Sequence, residues 1–273
     1  MQYVLPRGYL SASSIKTLQT CPKQYEFRYI EGIIIPPNAA LGIGSSVHKT
    51  LETYYSDAMT SATRLTPKQA GELSGDTLED WSKENENTMT DDEKSEAHKL
   101  LPSMVMTYVE NIGQHLTPTA TETECRYTMP SGVPMLGYID LMYENNDTGE
   151  VSIADYKVTG KKLSINDLKN SLQFNLYALM TGIGDIQIHN LVKTNYKPSP
   201  KPSDIEGVTD YASNLRTIQN NFDGSQEEHF NTLVENAARL ITSGIFMPCA
   251  PDAWCCNDNW CGYWKLCRGK NSA

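Results

Sequence analysis

The sequence predicts an α/β fold in which helices cover a mixed sheet, and three observations lead to that prediction. Residues 133–157 hold two short apolar runs separated by a turn rich in Asn, Asp and Gly, which is the pattern of a β-hairpin. Residues 119–129 alternate as a strand does and should pair with that hairpin. An amphipathic helix at 165–181 then precedes another apolar strand at 186–196, and this alternation is typical of an α/β sheet.

The chain of 273 residues is long enough to bury the core of a single domain, 1–273. Within it, residues 56–116 are polar and predict a helical insertion, with an exposed spacer as the alternative. Residues 10–29 predict two short helices that meet at Cys21, because the proline after it disfavours helical angles. A helix is expected at 41–55 and another over 211–241.

The net charge of −10 argues against a uniformly basic surface for nucleic acid but leaves room for a local basic groove. No apolar run reaches the length of a membrane span, and the first residues lack the apolar core of a signal peptide. We therefore expect no membrane partner and a cytoplasmic location, in a bacterial or phage-infected cell.

The hairpin carries the residues with the clearest chemistry. Asp140 ends one run, and Asp155 and Lys157 lie two positions apart near the end of the other, so their side chains share a face of the strand. Two carboxylates and an ammonium at one sheet edge suit a divalent cation and the phosphodiester that it attacks. A polar hairpin with ordinary surface charges is the alternative.

Two further pairs are spaced four apart and therefore lie on one helix face. His48 and Glu52 form the first pair, and Gln173 and Tyr177 form the second. A histidine in this setting is more often structural than a ligand, unless its helix packs across the hairpin that carries Asp140.

The seven cysteines are unevenly placed, and five of them crowd the tail at residues 246–273. Without a secretion signal, such crowding predicts a metal site rather than disulfides. The tail offers Cys256, Cys261 and Cys267, with Cys255 as the alternative to Cys256 and Cys249 as the least favoured. Cys21 in its rigid turn is the candidate for a fourth thiolate, which would join the tail to the first helix. The spacing favours an iron-sulfur cluster over zinc.

Several short motifs, none specific alone, occur in order along nearly the whole chain. They are LSASSIKTLQTCPKQYEFRY at the start, GIGSSVH at 42–48, GYID at 137–140, DYKVTGK from Asp155, QFNLY at 173–177 and the cysteine-rich tail. The ordered set resembles the RecB-like branch of the PD-(D/E)xK nuclease superfamily, in the iron-sulfur group with the CRISPR-adaptation exonucleases and the AddB nuclease domain. The resemblance implies a restriction-endonuclease-like core.

The resemblance also implies a role for each matching residue. His48, Asp140, Asp155 and the Tyr156 carbonyl would hold Mg²⁺ or Mn²⁺, and Lys157 would be the catalytic lysine. Gln173 and Tyr177 would steady the site and the DNA. A 4Fe-4S cluster would be held by four thiolates: Cys21, Cys256, Cys261 and Cys267. The chain departs from the common family spacing, because C-x4-C replaces C-x2-C, which leaves Cys255 and Cys256 as alternatives.

We therefore expect a metal-dependent DNA exonuclease that acts in recombination, repair or phage-type DNA processing. The chain has no phosphate-binding loop of the helicase type, so a separate helicase or single-strand annealing protein is an expected partner. The alternatives are a non-catalytic iron-sulfur DNA-binding module and a CRISPR-adaptation nuclease that processes spacers.

Overall fold

The computed structural model describes residues 3–61, 63–86, 88–145, 149–199 and 203–268. Parts of three predicted segments lie outside these ranges: the hairpin turn at 146–148, positions 62 and 87 of the insertion, and the last residues of the tail, 269–273.

The described residues form one mixed sheet with helices around it. The strands are β1 (Thr117–Thr128), β2 (Pro134–Glu144), β3 (Val151–Thr159), β4 (Asp185–Val192), β5 (Val208–Ala212) and β6 (Leu215–Asn221). The sheet order is β1-β2-β3-β4-β6-β5, with β2 and β3 antiparallel and β3 and β4 parallel. β3 is buried along most of its length, as expected of a central strand. The predictions of an α/β fold, of the hairpin and of its pairing with β1 are therefore confirmed.

Helices precede, interrupt and follow the strands. They are α1 (Ala12–Thr20), α2 (Pro22–Tyr25), α3 (Ala39–Thr60), α4 (Pro67–Glu84), α5 (Asp91–Asn111), α6 (Ile165–Lys169), α7 (Leu172–Thr181), α8 (Glu227–Ser243) and α9 (Trp264–Cys267). α2 continues into a π-helical turn at Glu26–Ile30, and a short 3₁₀ turn lies at Gly113–His115. The described part of the chain has no helix with both the length and the apolar character needed to cross a membrane.

The chain forms two compact units. Unit 1 comprises Met1–Pro36, Cys125–Gly137 and Ser225–Ala273, and unit 2 comprises Pro37–Glu124 and Tyr138–Gly224. In unit 2, α3, α4 and α5 share one buried cluster with the sheet, which includes Tyr55, Leu78, Tyr108 and Tyr156. Gly42 on α3 permits close packing with α4, since a Cβ there would lie 2.5 Å from the ring of Trp81.

Two predicted helices are wrong in extent. The helix expected at 165–181 is broken into α6 and α7 by residues 170–171, and the buried Asn175 amide stabilises this break by donating to the carbonyls of Lys169 and Ser171. The helix expected over 211–241 begins only at Glu227, because the preceding residues pair as β5 and β6. In β6, Leu215 and Thr217 are buried two positions apart, which is a strand period.

Candidate active site

The hairpin of β2 and β3 brings the two predicted aspartates together in unit 2. Asp140 and Asp155 are buried, at 7% and 1% exposure. The backbone N–H of Tyr156 donates to Oδ2 of Asp140 over 2.7 Å, so the peptide between Asp155 and Tyr156 is fixed against the Asp140 carboxylate. Burial raises the pKa of Asp155 to about 6, against the opposing effect of the Lys157 ammonium.

His48 enters the same site from α3, which begins where the Asn38 side chain accepts from the N–H of Leu41. Its Nδ1 lies 3.4 Å from Oδ2 of Asp140, and its Nε2 lies 3.0 Å from the carbonyl oxygen of Tyr156. Burial opposes protonation of His48, but the Asp140 carboxylate outweighs that effect and raises the pKa of the imidazole. Glu52, four positions on, pairs instead with Lys49 at 2.9 Å.

Lys157 lies between an acid and an amide. Its Nζ is 2.5 Å from Oδ2 of Asp155 and 3.1 Å from Oε1 of Gln173, and it lies 5.5 Å above the ring of Phe174. These contacts hold the ammonium at the edge of the two carboxylates, with a third of the side chain exposed.

Gln173 and Tyr177, which lie on one face of α7, extend this network. The Gln173 amide donates to Oδ1 of Asp155 over 2.8 Å and to the Tyr177 hydroxyl over 2.9 Å. The Tyr177 hydroxyl in turn donates to the carbonyl of Tyr138. Helix α7 is therefore tied to both strands of the hairpin through side chains.

Sequence reasoning missed Glu122 on β1. Ligand atoms of Glu122, His48 and Asp140 all lie within 4.8 Å of one another. Glu122 has a φ of +43°, a strained backbone conformation for a residue with a side chain. Loss of surrounding water raises the pKa of its carboxyl, and the charge of Asp140 adds to the effect. The alternating acids of TETE in β1 were the available signal, but alternation alone does not show which acid faces the site.

Asn190 on β4 was also missed, and it supports the strand that carries Lys157. Its fully buried amide donates to the carbonyl of Lys157 over 3.0 Å and to the Thr159 hydroxyl over 2.8 Å, and its oxygen accepts from the N–H of Leu163. This amide fixes the end of β3 and the loop that follows it.

The cysteines gather separately, in unit 1. Six of them line one small cavity of about 20 Å³: Cys21, Cys249, Cys255, Cys256, Cys261 and Cys267. Cys125, the remaining one, is half-buried on β1. The prediction grouped Cys21 with the tail, and the structure places it there.

Contacts within the cavity involve more of the cysteines than the four predicted. The N–H of Cys249 donates to Sγ of Cys21 over 3.3 Å, and Sγ of Cys249 lies 3.7 Å from Sγ of Cys255. Burial raises the pKa of the Cys267 thiol, and Cys21, Cys256 and Cys261 add to the effect. Cys255 and Cys256 both line the cavity.

A family of known proteins matches the chain. The family model for the PD-(D/E)XK nuclease superfamily matches residues 9–268. No curated protein matches the chain. A solved structure described as "Crystal structure of SSO0001" is similar, with 12% sequence identity and a TM-score of 0.38, and the match covers 82% of this chain and 96% of that one. The assignment of the chain to a family therefore rests on the family match alone.

The superfamily consists of nucleases that use divalent metals, and the His48, Glu122 and Asp140 group provides suitable ligands. The mixed sheet flanked by helices agrees with the restriction-endonuclease-like core expected from the sequence. On the extent of the family match, the chain belongs to the PD-(D/E)XK nuclease superfamily.

Proposed function

We propose that this nuclease is a DNA exonuclease that depends on a divalent metal. One observation carries the proposal: an imidazole, buried carboxylates and a lysine ammonium from separate elements converge on the hairpin of β2 and β3. Such a convergence is costly for folding, because it buries like charges together. It is expected where those charges have a chemical use.

The charge of the site fits a cation. Glu122, Asp140 and Asp155 bring three carboxylates, and Lys157 is the ammonium that pairs with one of them among the described residues. Burial raises the pKa values of both Glu122 and Asp155, and the nearby negative charge of Asp140 adds to the rise. A divalent ion would offset these like charges, and Mg²⁺ and Mn²⁺ prefer carboxylate oxygens.

The proposed ligands are the side chains of His48, Glu122, Asp140 and Asp155, together with the Tyr156 carbonyl. When bound, the cation supplies Lewis acidity that activates water and stabilises charge on a phosphodiester.

The remaining groups act around the cation site. The Lys157 ammonium can donate to a phosphate oxygen and offset the charge that develops there. Gln173 holds both Lys157 and Asp155 in place, and Tyr177 holds Gln173 through its hydroxyl. Gln173 and Tyr177 are therefore positioning residues, although the resemblance also assigns them a contact with DNA.

For the cysteines we propose the 4Fe-4S cluster of the RecB-like iron-sulfur group, with Cys21, Cys256, Cys261 and Cys267 as ligands. Thiolate ligands suit both such a cluster and zinc. The spacing of the cysteines along the chain supports the cluster over zinc.

The setting of the activity is part of the proposal. The domain 1–273, with its insertion at 56–116, would act in the cytoplasm of a bacterial or phage-infected cell in recombination, repair or DNA processing. DNA would be its substrate, and a separate helicase or annealing protein would supply opened or paired strands.

The test is digestion of end-labelled linear DNA and of closed circular DNA in Mg²⁺, in Mn²⁺ and in EDTA. We expect the linear form alone to be degraded, and only with metal. Asp155→Asn should lower the rate by at least about a thousandfold. Asp80→Asn is the matched control, because it removes an exposed carboxylate that pairs with Lys83 on α4.

Three results would contradict the proposal in different ways. Cleavage of circular DNA would show that the protein is an endonuclease rather than an exonuclease. Binding of DNA without any cleavage by the wild-type protein would favour the non-catalytic module. Restriction of cleavage to spacer-length duplexes with overhangs would point to CRISPR adaptation.

A further inference from the structure

A pair of cations lies at the π-helical turn Glu26–Ile30 in unit 1, with Arg28 on the turn and Arg7 before α1. The guanidinium carbon of Arg7 lies 4.5 Å from the ring centroid of Tyr29, and that of Arg28 lies 5.4 Å from the same centroid. Arg7 also lies 4.8 Å from the ring of Tyr9. Two exposed guanidinium groups are thus held against one aromatic ring.

Among the described residues, neither Arg7 nor Arg28 forms an ion pair with a carboxylate, whereas the neighbouring acid Glu26 pairs with Lys23. Besides its ring contacts, the Arg7 side chain donates a hydrogen bond to the Ser11 hydroxyl over 3.4 Å. In a chain of net charge −10, two adjacent guanidinium groups without counter-charges provide a local site for anions.

The backbone beneath this pair is also unusual. π-helical turns are rare and occur frequently at functional sites. Here the turn places Arg28 and Tyr29 directly after α2. Its end is fixed, because the hydroxyl of Tyr263 donates to the Ile33 carbonyl over 2.9 Å and its ring stacks on Phe27 with centroids 5.5 Å apart.

A second feature of unit 1 is a loop with two exposed tryptophans that contacts α2. Gln24 on α2 donates to Sγ of Cys261 over 3.1 Å, which ties the loop of residues 254–263 to α2. That loop carries Trp254 and Trp260, which are 71% and 72% exposed. Their ring centroids are 5.8 Å apart with planes at 80°, so each indole leaves a face open to solvent.

We propose that unit 1 binds single-stranded DNA, with Arg7 and Arg28 on backbone phosphates and with Trp254 and Trp260 stacked on bases. Guanidinium groups recognise phosphate, and exposed aromatic rings stack on bases that are free of a duplex. This inference rests on the proposed nuclease function and deepens it by naming the class of substrate. The binding residues are distinct from those of the metal site.

The experiment is fluorescence anisotropy of a labelled oligothymidine of about twenty nucleotides, long enough for such a site. It uses the full chain in EDTA over a range of NaCl concentrations. Because EDTA prevents cleavage, binding is measured whether or not the protein is a nuclease. A wild-type protein that binds but never cleaves would refute the proposed function alone.

The arginines are tested through the salt dependence. Each phosphate contact on a single strand contributes about 0.7 to the slope of log K against log salt. The double variant Arg7→Gln/Arg28→Gln should therefore lower that slope by about 1.4. Arg239→Gln is the matched control, because it removes an exposed arginine of unit 1 that already pairs with Glu235 at 2.6 Å, and it should keep the wild-type slope.

The tryptophans are tested at constant salt. Trp254→Ala/Trp260→Ala should weaken binding about tenfold or more without changing the salt slope. A duplex of the same length should bind more weakly than the single strand. The proposal is overturned if the arginine variant keeps the wild-type slope, if the tryptophan variant binds as the wild type does, or if the duplex binds equally well.

Discussion

The candidate metal site and the cysteine cavity are built in opposite ways. In unit 2, each chemical group lies on a helix or strand whose backbone hydrogen bonds already fix its direction: His48 on α3, and Asp140, Asp155 and Lys157 on the hairpin. In unit 1, the tail from residue 246 has little regular structure, and α9 with four residues is its one described helix.

This difference separates two sources of order. The metal site is preorganised by the sheet, since hydrogen bonds from the Tyr156 N–H and the Gln173 amide offset the cost of burying the Asp140 and Asp155 carboxylates. The cysteine tail has few buried apolar residues, with Cys255 and Tyr263 as its buried hydrophobic side chains in the described part. We therefore expect its order to depend on the cluster that we propose for the thiols.

The largest effect is expected for a substitution in the cysteine cavity. We expect Cys261→Ser to abolish iron binding by the proposed cluster site and to lower the free energy of unfolding of unit 1 by at least about 3 kcal/mol, because the tail would lose the proposed cross-link. Iron analysis and hydrogen exchange should show the loss in the tail and α1, while β3 and β4 keep their protection. Cys125→Ser is the control, since Cys125 does not line the cavity. Equal exchange in the two variants would contradict the assignment.

A smaller effect is expected at the edge of the metal site. Gln173→Leu removes the amide that contacts both Asp155 and Lys157, so we expect kcat to fall about 10- to 100-fold. KM should change little. Tyr177→Phe, which removes only the outer contact to Gln173, should cost less. The order of the two variants in single-turnover kinetics checks the positioning role, and a larger loss for Tyr177→Phe would refute it.

The smallest effect at neutral pH concerns His189, a buried histidine of unit 2 outside the proposed ligand set. His189 is fully buried among tyrosines, with Nδ1 3.0 Å from the Tyr108 hydroxyl, and burial lowers its pKa from 6.5 to about 3. Folding therefore keeps it neutral, whereas the unfolded chain binds a proton below about pH 6.5. The stabilisation that neutral His189 gives the folded protein is complete above about pH 6.5. It falls by about 1.4 kcal/mol for each pH unit below that value.

His189→Gln isolates this contribution from other titrating groups. The difference in free energy of unfolding between wild type and variant should shrink as the pH falls from about 6.5 toward 4. Urea unfolding at several pH values measures it. A difference that stays constant with pH would show that His189 is protonated in the folded protein.

Much of the metal site could be predicted from the sequence, because strand periodicity alone places Asp155 and Lys157 on one face. Glu122 could not, since its direction depends on an unusual φ of +43° that no pattern of residues reveals. Asn190 could not be predicted for another reason. Its amide contacts the neighbouring strand, and the pairing of these two distant segments is not apparent from the sequence. The residues of β6 and the end of β5 were predicted as helix because the alternation of apolar and polar residues is weak in short polar strands.

We propose that His48, Asp140 and Asp155 share one cation, and calorimetric titration of the purified protein with Mn²⁺ tests this directly. The account predicts binding that Asp140→Asn and Asp155→Asn abolish or weaken about a hundredfold, and that Asp80→Asn leaves as in the wild type. Wild-type affinity for Mn²⁺ in Asp140→Asn and Asp155→Asn would contradict it.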